Sequence, residues 1–141
     1  MHKFQSLTKY ISLISKEDVG EWIVDKENDG TMEHPIHLPF VEYSAVVYQF
    51  VTNVYAFCDE HPEFDLYEYE QILINNGIKW NIDSMRDADV SSKDERCILA
   101  LIVGAVRAER FCDGALMDFL AYGSIEKWLT RLQEIDGEKN P

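Results

Sequence analysis

Ten consecutive residues, Cys97-Ile98-Leu99-Ala100-Leu101-Ile102-Val103-Gly104-Ala105-Val106, carry no charged, amide or hydroxyl side chain. Arg96 and Arg107 bracket them. The run is far short of the roughly 18 apolar residues that cross a bilayer. Ser92 and Glu95 precede it at capping-box spacing, so it reads as a helix opening near Ser91. A helix that is apolar all round must be covered on every side. The rest of the chain therefore has to supply several elements that pack around it.

Those elements are visible as periodic apolar faces. Phe4, Leu7, Tyr10, Ile11 and Ile14 recur at three- and four-residue steps, which predicts a helix over 3–15. Ser15 with Glu17 and Asp18 resembles an N-cap and acidic first turn, so a short helix near 16–25 follows, with Val19, Trp22 and Ile23 inward. A strand from Glu21 to Asp25 is the alternative. Val47, Phe50, Val51, Val54, Phe57 and Cys58 mark a helix over 43–60. Asp65 is expected to cap a shorter helix carrying Leu66, Tyr69, Ile72 and Leu73, closed by Asn76-Gly77 in a left-handed cap. Trp80 and Ile82 return to the core. After the central helix come a short helix over 115–122 and a last one from Ser124 to Ile135 with Ile125, Trp128, Leu129 and Leu132 inward.

Turn residues Glu27-Asn28-Asp29-Gly30 and the prolines at 35 and 39 break the chain between these helices. The expected fold is mainly α: one compact bundle of five to seven non-parallel helices over residues 1–141. It has an irregular or short extended segment near 26–40 and a frayed tail at 136–141.

Charge narrows the function classes. The chain has 26 acidic residues and 13 Lys+Arg among 141, for a net charge of −13. Phosphate binding needs a basic surface, so direct nucleic-acid binding is disfavoured, although imitation of nucleic acid is not. The bases Arg86, Lys93, Arg96, Arg107 and Arg110 gather in the second half, but acids outnumber bases there too. With no secretory or membrane-spanning pattern, and three cysteines without framework spacing, the expectation is a cytoplasmic protein with reduced thiols and no membrane contact. Acids concentrate from Glu17 to Glu33 and again at Asp59, Glu60, Glu63, Asp65, Glu68 and Glu70, a stretch without Lys or Arg. Such clusters are either solvated faces or docking surfaces for a basic partner.

The stretch Arg107-Ala108-Glu109-Arg110-Phe111-Cys112-Asp113-Gly114 follows the apolar helix directly. Arg107 and Arg110 are three apart and can share a helix face, with Glu109 directed elsewhere. One reading is an anion clamp, with both arginines as planar donors and Glu109 or Asp113 as acceptor. The other is a network of ion pairs that holds the end of the central helix.

Metal and nucleophile patterns are weaker. Asp25 to Glu33 half-matches a calcium loop, but Ile36 occupies the position that needs a bidentate Glu. His34 with His37, and Cys58 with His61, lack the paired spacings of a zinc site. Cys112 beside Asp113 could join any histidine, which distinguishes nothing. No metal or cofactor is expected. The tyrosines at 43, 48, 55, 67 and 69 read as core and boundary residues, not a base-stacking platform.

Three blocks carry a family resemblance: Pro39-Phe40-Val41-Glu42-Tyr43, the segment Ala105 to Gly114, and Gly123-Ser124-Ile125. Their most specific pattern is Arg-x-x-Arg-Phe-Cys-x-Gly. Together they resemble the bacterial domain-of-unknown-function family 6508, over about residues 5–135. The resemblance implies a shared fold and a bacterial or phage context, and no mechanism. It implies that a site, if present, lies near Arg107, Arg110, Phe111 and Gly114.

Two functions remain. The first expectation is a non-enzymatic interaction or regulatory protein that binds a basic partner through Asp59, Glu60, Glu63, Asp65 and Glu68. A toxin, a nuclease or a decoyed DNA-binding protein would fit. The alternative is a small-molecule (anion) binding protein or enzyme using Arg107, Glu109, Arg110 and Asp113.

Overall fold

A computed structural model of the chain describes residues 3–16, 20–23 and 40–139. The first amphipathic stretch forms α1 (Gln5–Thr8) and α2 (Tyr10–Lys16), interrupted at Lys9. Phe4, Leu7, Tyr10 and Ile14 point into the core as their spacing requires. Two short strands follow, β1 (Gly20–Ile23) and β2 (Phe40–Tyr43). They pair antiparallel with Gly20 opposite Tyr43 and Trp22 opposite Val41.

Next come α3 (Ala45–Glu60), two single 3-10 turns at Pro62–Phe64 and Leu66–Glu68, and α4 (Tyr69–Asn75). Then α5 (Ile82–Asp87), α6 (Glu95–Ala108), α7 (Ala115–Ala121) and α8 (Ser124–Lys139) complete the chain. Counting α1 and α2 as one interrupted unit, the described residues hold seven helical units, at the upper edge of the expected number.

The apolar run lies at the centre, as its composition demands. Every residue from Cys97 to Val106 on α6 is buried. Helices α3, α4, α7 and α8 and the Leu66–Glu68 turn all pack against it. Fully burying a Leu, Ile or Val side chain is worth about 1.5–3 kcal/mol, so this helix is the main hydrophobic anchor. A single cluster of buried side chains runs from Phe4 to Ile135. The backbone N–H of Phe4 donates to the buried Asp136 carboxylate at 3.1 Å, joining the start of the fold to α8.

Several local expectations are corrected. The segment read as a helix near 16–25 is strand over 20–23, the alternative reading. Its partner strand is 17–23 residues away, so pairing overrides the local cap signal. Helix α6 starts at Glu95, and its cap is Asp94, whose carboxylate accepts the Cys97 N–H at 2.9 Å, not Ser92. Asp65 does not cap a helix with its side chain. It takes a left-handed conformation (φ 52°) between the two 3-10 turns. Helix α8 extends to Lys139, into the segment expected as tail, with Ile135 and Asp136 buried. Helix α5 arises from a cap not singled out in the sequence, Asn81 Oδ1 accepting the Ser84 N–H at 2.7 Å. The left-handed Gly77 after α4 (φ 76°) is as expected. Residues 24–39, and with them most of the irregular segment, lie outside the described residues.

Candidate functional site

Helix α6 ends at Ala108, and the next six residues turn the chain into α7. Successive 3.0–3.1 Å bonds from the N–H groups of Arg110, Phe111 and Cys112 to the carbonyls of Arg107 and Ala108 tighten that turn. Gly114 closes it with φ 90°, a conformation that favours glycine.

Glu109 is the hub of this turn. Its Oε1 accepts hydrogen bonds from Tyr43 Oη (2.6 Å) and the Leu116 N–H (3.0 Å), and the Gly114 N–H lies 3.1 Å from both carboxylate oxygens. Tyr43 Oη in turn accepts the Met117 N–H at 3.0 Å. The first N–H groups of a helix have no partner within it. Here a carboxylate from the preceding turn and a phenol from β2 supply two of them. A negative group at a helix N-terminus is also favoured by the helix dipole. Burial, and then the hydrogen bond and charge of Glu109, raise the Tyr43 phenol well above the usual tyrosine range.

Tyr43, Glu109 and Leu116 line a cavity of about 370 Å³. Val47, Tyr48, Val51 and Tyr55 of α3, with Val106 of α6, line it as well. So does Arg110. The walls are largely hydrocarbon and tyrosine ring, and Tyr43 and Tyr48 meet edge to face at 6.3 Å. Three wider clefts of about 540–920 Å³ lie around α5 and the first half of α8. Their arginines are already engaged: Arg86 with Asp83 (3.2 Å) and Asp87 (3.1 Å), Arg131 with Glu134 (3.4 Å).

The four ligand candidates from the sequence separate. Glu109 and Arg110 share the cavity wall. Arg107 is half-buried and faces the hydroxyls of Tyr69 and Tyr55. Asp113 is exposed and off the wall. The ion-pair network suggested for the end of α6 does not form among the described residues. No carboxylate stands within 4.0 Å of Arg107 or Arg110 there, since Glu109 turns to backbone amides and a phenol instead. Phe111 is 72% exposed, its ring edge to face with Trp80 at 5.7 Å.

Their spacing alone marks Tyr48 and Tyr55 as core or boundary residues. With Val51 they form a second stripe on α3, beside the fully buried one, and that doubled stripe is the signal that marks the cavity wall.

Asp59, Glu60, Glu63, Asp65, Glu68 and Glu70 are all exposed. Asp59 accepts from Tyr67 (3.1 Å), and Glu63 lies 3.4 Å from His61. The fold brings cations to this segment that the sequence lacks locally. Arg96 donates to the Phe64 carbonyl at 2.9 Å, and Lys3 sits 5.3 Å from the centre of the Phe64 ring.

Cys58 is buried in the core and His61 packs on Phe57 at 4.3 Å. His34, His37, the calcium-like loop and most of the Glu17–Glu33 cluster lie outside the described residues. Among the described residues, no three His, Cys, Asp or Glu side chains gather as a metal site, and no helix is long and apolar enough to cross a membrane.

No curated protein and no solved structure matches the chain. A family model does, over residues 1–138, and the chain belongs to the family of unknown function DUF6508.

Proposed function

We propose that this chain is a cytoplasmic small-molecule-binding protein, whose ligand places an apolar body in the cavity between β2, α3 and α7. One observation carries the reading: a tyrosine- and valine-walled cavity of about 370 Å³ beside a tightly filled core. Its size is within the range of small-ligand pockets, which are mostly apolar with a few placed polar groups. The test is ligand-detected NMR with a set of aromatic and alkyl fragments. Wild-type protein is expected to bind several of them. Val51→Trp, which fills the cavity, is expected to abolish that binding while the fold is kept. Binding that persists in Val51→Trp would sink the proposal.

A second reading is supported by the exposure of the acidic segment: a basic partner docks on Asp59, Glu60, Glu63, Asp65 and Glu68. Lys3 and Arg96 beside Phe64 weaken it, since they partly offset the field there. Immobilised wild type and a triple variant, Glu63→Lys, Asp65→Lys and Glu68→Lys, separate the cases. A basic protein retained from lysate by the first and lost by the second supports docking. Equal retention removes this reading.

A further inference from the structure

We infer that the cavity takes a monocarboxylate with an aryl or alkyl body, the carboxylate on Arg110 at the rim and the body against Tyr48, Val51 and Tyr55. The inference rests on the cavity being a ligand site and names the class of that ligand.

Arg110 is the first argument. Among the described residues, the other arginines each have an assigned contact. Arg86 and Arg131 pair with carboxylates, Arg96 donates to a carbonyl, and Arg107 faces two phenols. Arg110 is exposed, lines the cavity and has no such partner there. Its planar fork of donors matches a carboxylate in bidentate geometry.

Glu109 is the second argument. It stands on the same wall, yet its carboxylate is occupied by Tyr43, Gly114 and Leu116, so it is turned away from Arg110. Its charge still counts. One guanidinium and one carboxylate leave the wall near neutral, on a chain of net charge −13. A second negative charge on the ligand would meet repulsion without a second cation to receive it. A phosphate monoester, which carries close to two charges at neutral pH, is therefore disfavoured against a carboxylate.

The walls are the third argument. Valine side chains and tyrosine rings reward an apolar body, and offset or edge-on aromatic contacts add to simple burial.

The experiment is calorimetric and NMR titration at pH 7.5 with three matched compounds: 4-phenylbutyrate, 4-phenylbutanamide and 2-phenylethyl phosphate. The proteins are wild type, Arg110→Gln, Arg110→Lys and Val51→Trp. The acid is expected to bind wild type about tenfold more tightly than the amide or the phosphate, one charge-assisted pair's worth of affinity. Arg110→Gln is expected to bring acid and amide to the same Kd without changing the amide's own. Arg110→Lys should keep part of the preference. Because Arg110 is exposed, the unfolding midpoint should not move in either variant.

Equal binding of acid and amide by wild type, a preference that survives Arg110→Gln, or a phosphate that binds tightest would overturn the ligand class and leave the cavity reading standing. Failure of all three to bind, or binding undiminished in Val51→Trp, would overturn the cavity reading and this inference together.

Discussion

The phenol of Tyr43 donates a 2.6 Å hydrogen bond to the carboxylate of Glu109, 66 positions away in the chain. The same phenol oxygen accepts the Met117 N–H, and the same carboxylate accepts the Leu116 N–H. Two side chains from different elements thus cap α7 and fasten β2 to the turn after the central helix. Both also line the cavity, so the joint and the candidate site share atoms.

Tyr43→Phe removes the donor to Glu109 and leaves the Met117 N–H without its acceptor. A lost bond of this kind to a charged group costs about 1.5–3 kcal/mol. Glu109→Ala should cost as much or more, because it strips two backbone amides as well. The double variant should fall short of the sum by about 0.5–3 kcal/mol, since both single changes break one network. Urea unfolding of the four proteins measures this. Strict additivity would show that the two groups act independently.

Gly20 tests the strand that holds Tyr43 in place. It pairs with Tyr43 across the ladder and has φ 155°. A Cβ there would stand 2.6 Å from the Glu42 carbonyl oxygen and 2.9 Å from Tyr43 Cα. Both are backbone atoms that cannot swing aside. Gly20→Ala is expected to destabilise the protein by about 1–3 kcal/mol. An unchanged urea midpoint would mean that the ladder adds little to the fold.

The parts legible in the sequence are those set by local period. The faces of α3, α4, α6 and α8 follow from apolar spacing, and the burial of α6 follows from having no polar face at all. What depends on distant partners was hidden. Nothing near Trp22 announces its pairing with Val41, so the cap-like Ser15 and Glu17 favoured a helix there. Three cap formers stand close together at Ser91, Ser92 and Asp94, and only the packed helix decides that Asp94 takes the role. At the candidate site, the reading that Glu109 is directed away from the arginines agrees with its course to α7. Its partners could not be read, because Tyr43 arrives from another element.

The three thiols should differ sharply in reactivity. Cys112 is exposed in the turn before α7, whereas Cys58 and Cys97 are buried in α3 and α6. Native protein treated with a thiol reagent should take up one equivalent, mapped by peptide mass spectrometry to Cys112. Denatured protein should take up three. Cys112→Ser should abolish the native labelling and shift stability by no more than about 0.5 kcal/mol. Rapid native labelling of Cys58 or Cys97 would contradict their burial.

Alkaline pH should unfold the protein through those same buried groups. Burial, reinforced by the charge of Asp59, pushes the Cys58 thiol from 9.0 up to about 11. Burial likewise pushes Cys97 from 9.0 to about 11, with Asp94 raising it and Lys93 opposing. A raised value means that the folded state keeps its proton while the unfolded chain has already lost it. Stability is therefore full below pH 9 and falls between pH 9 and 11. Each thiol contributes a slope of about 1.4 kcal/mol per pH unit. Tyr43, raised in the same direction, extends the fall to higher pH. Urea midpoints should be unaffected by these groups from pH 7 to 8.5 and drop steeply beyond pH 9. Cys58→Ala should halve the thiol part of that slope, at the cost of a lower plateau from the small cavity it leaves. A decline through pH 9–11 that is the same in Cys58→Ala as in wild type would show that other groups govern the alkaline limit.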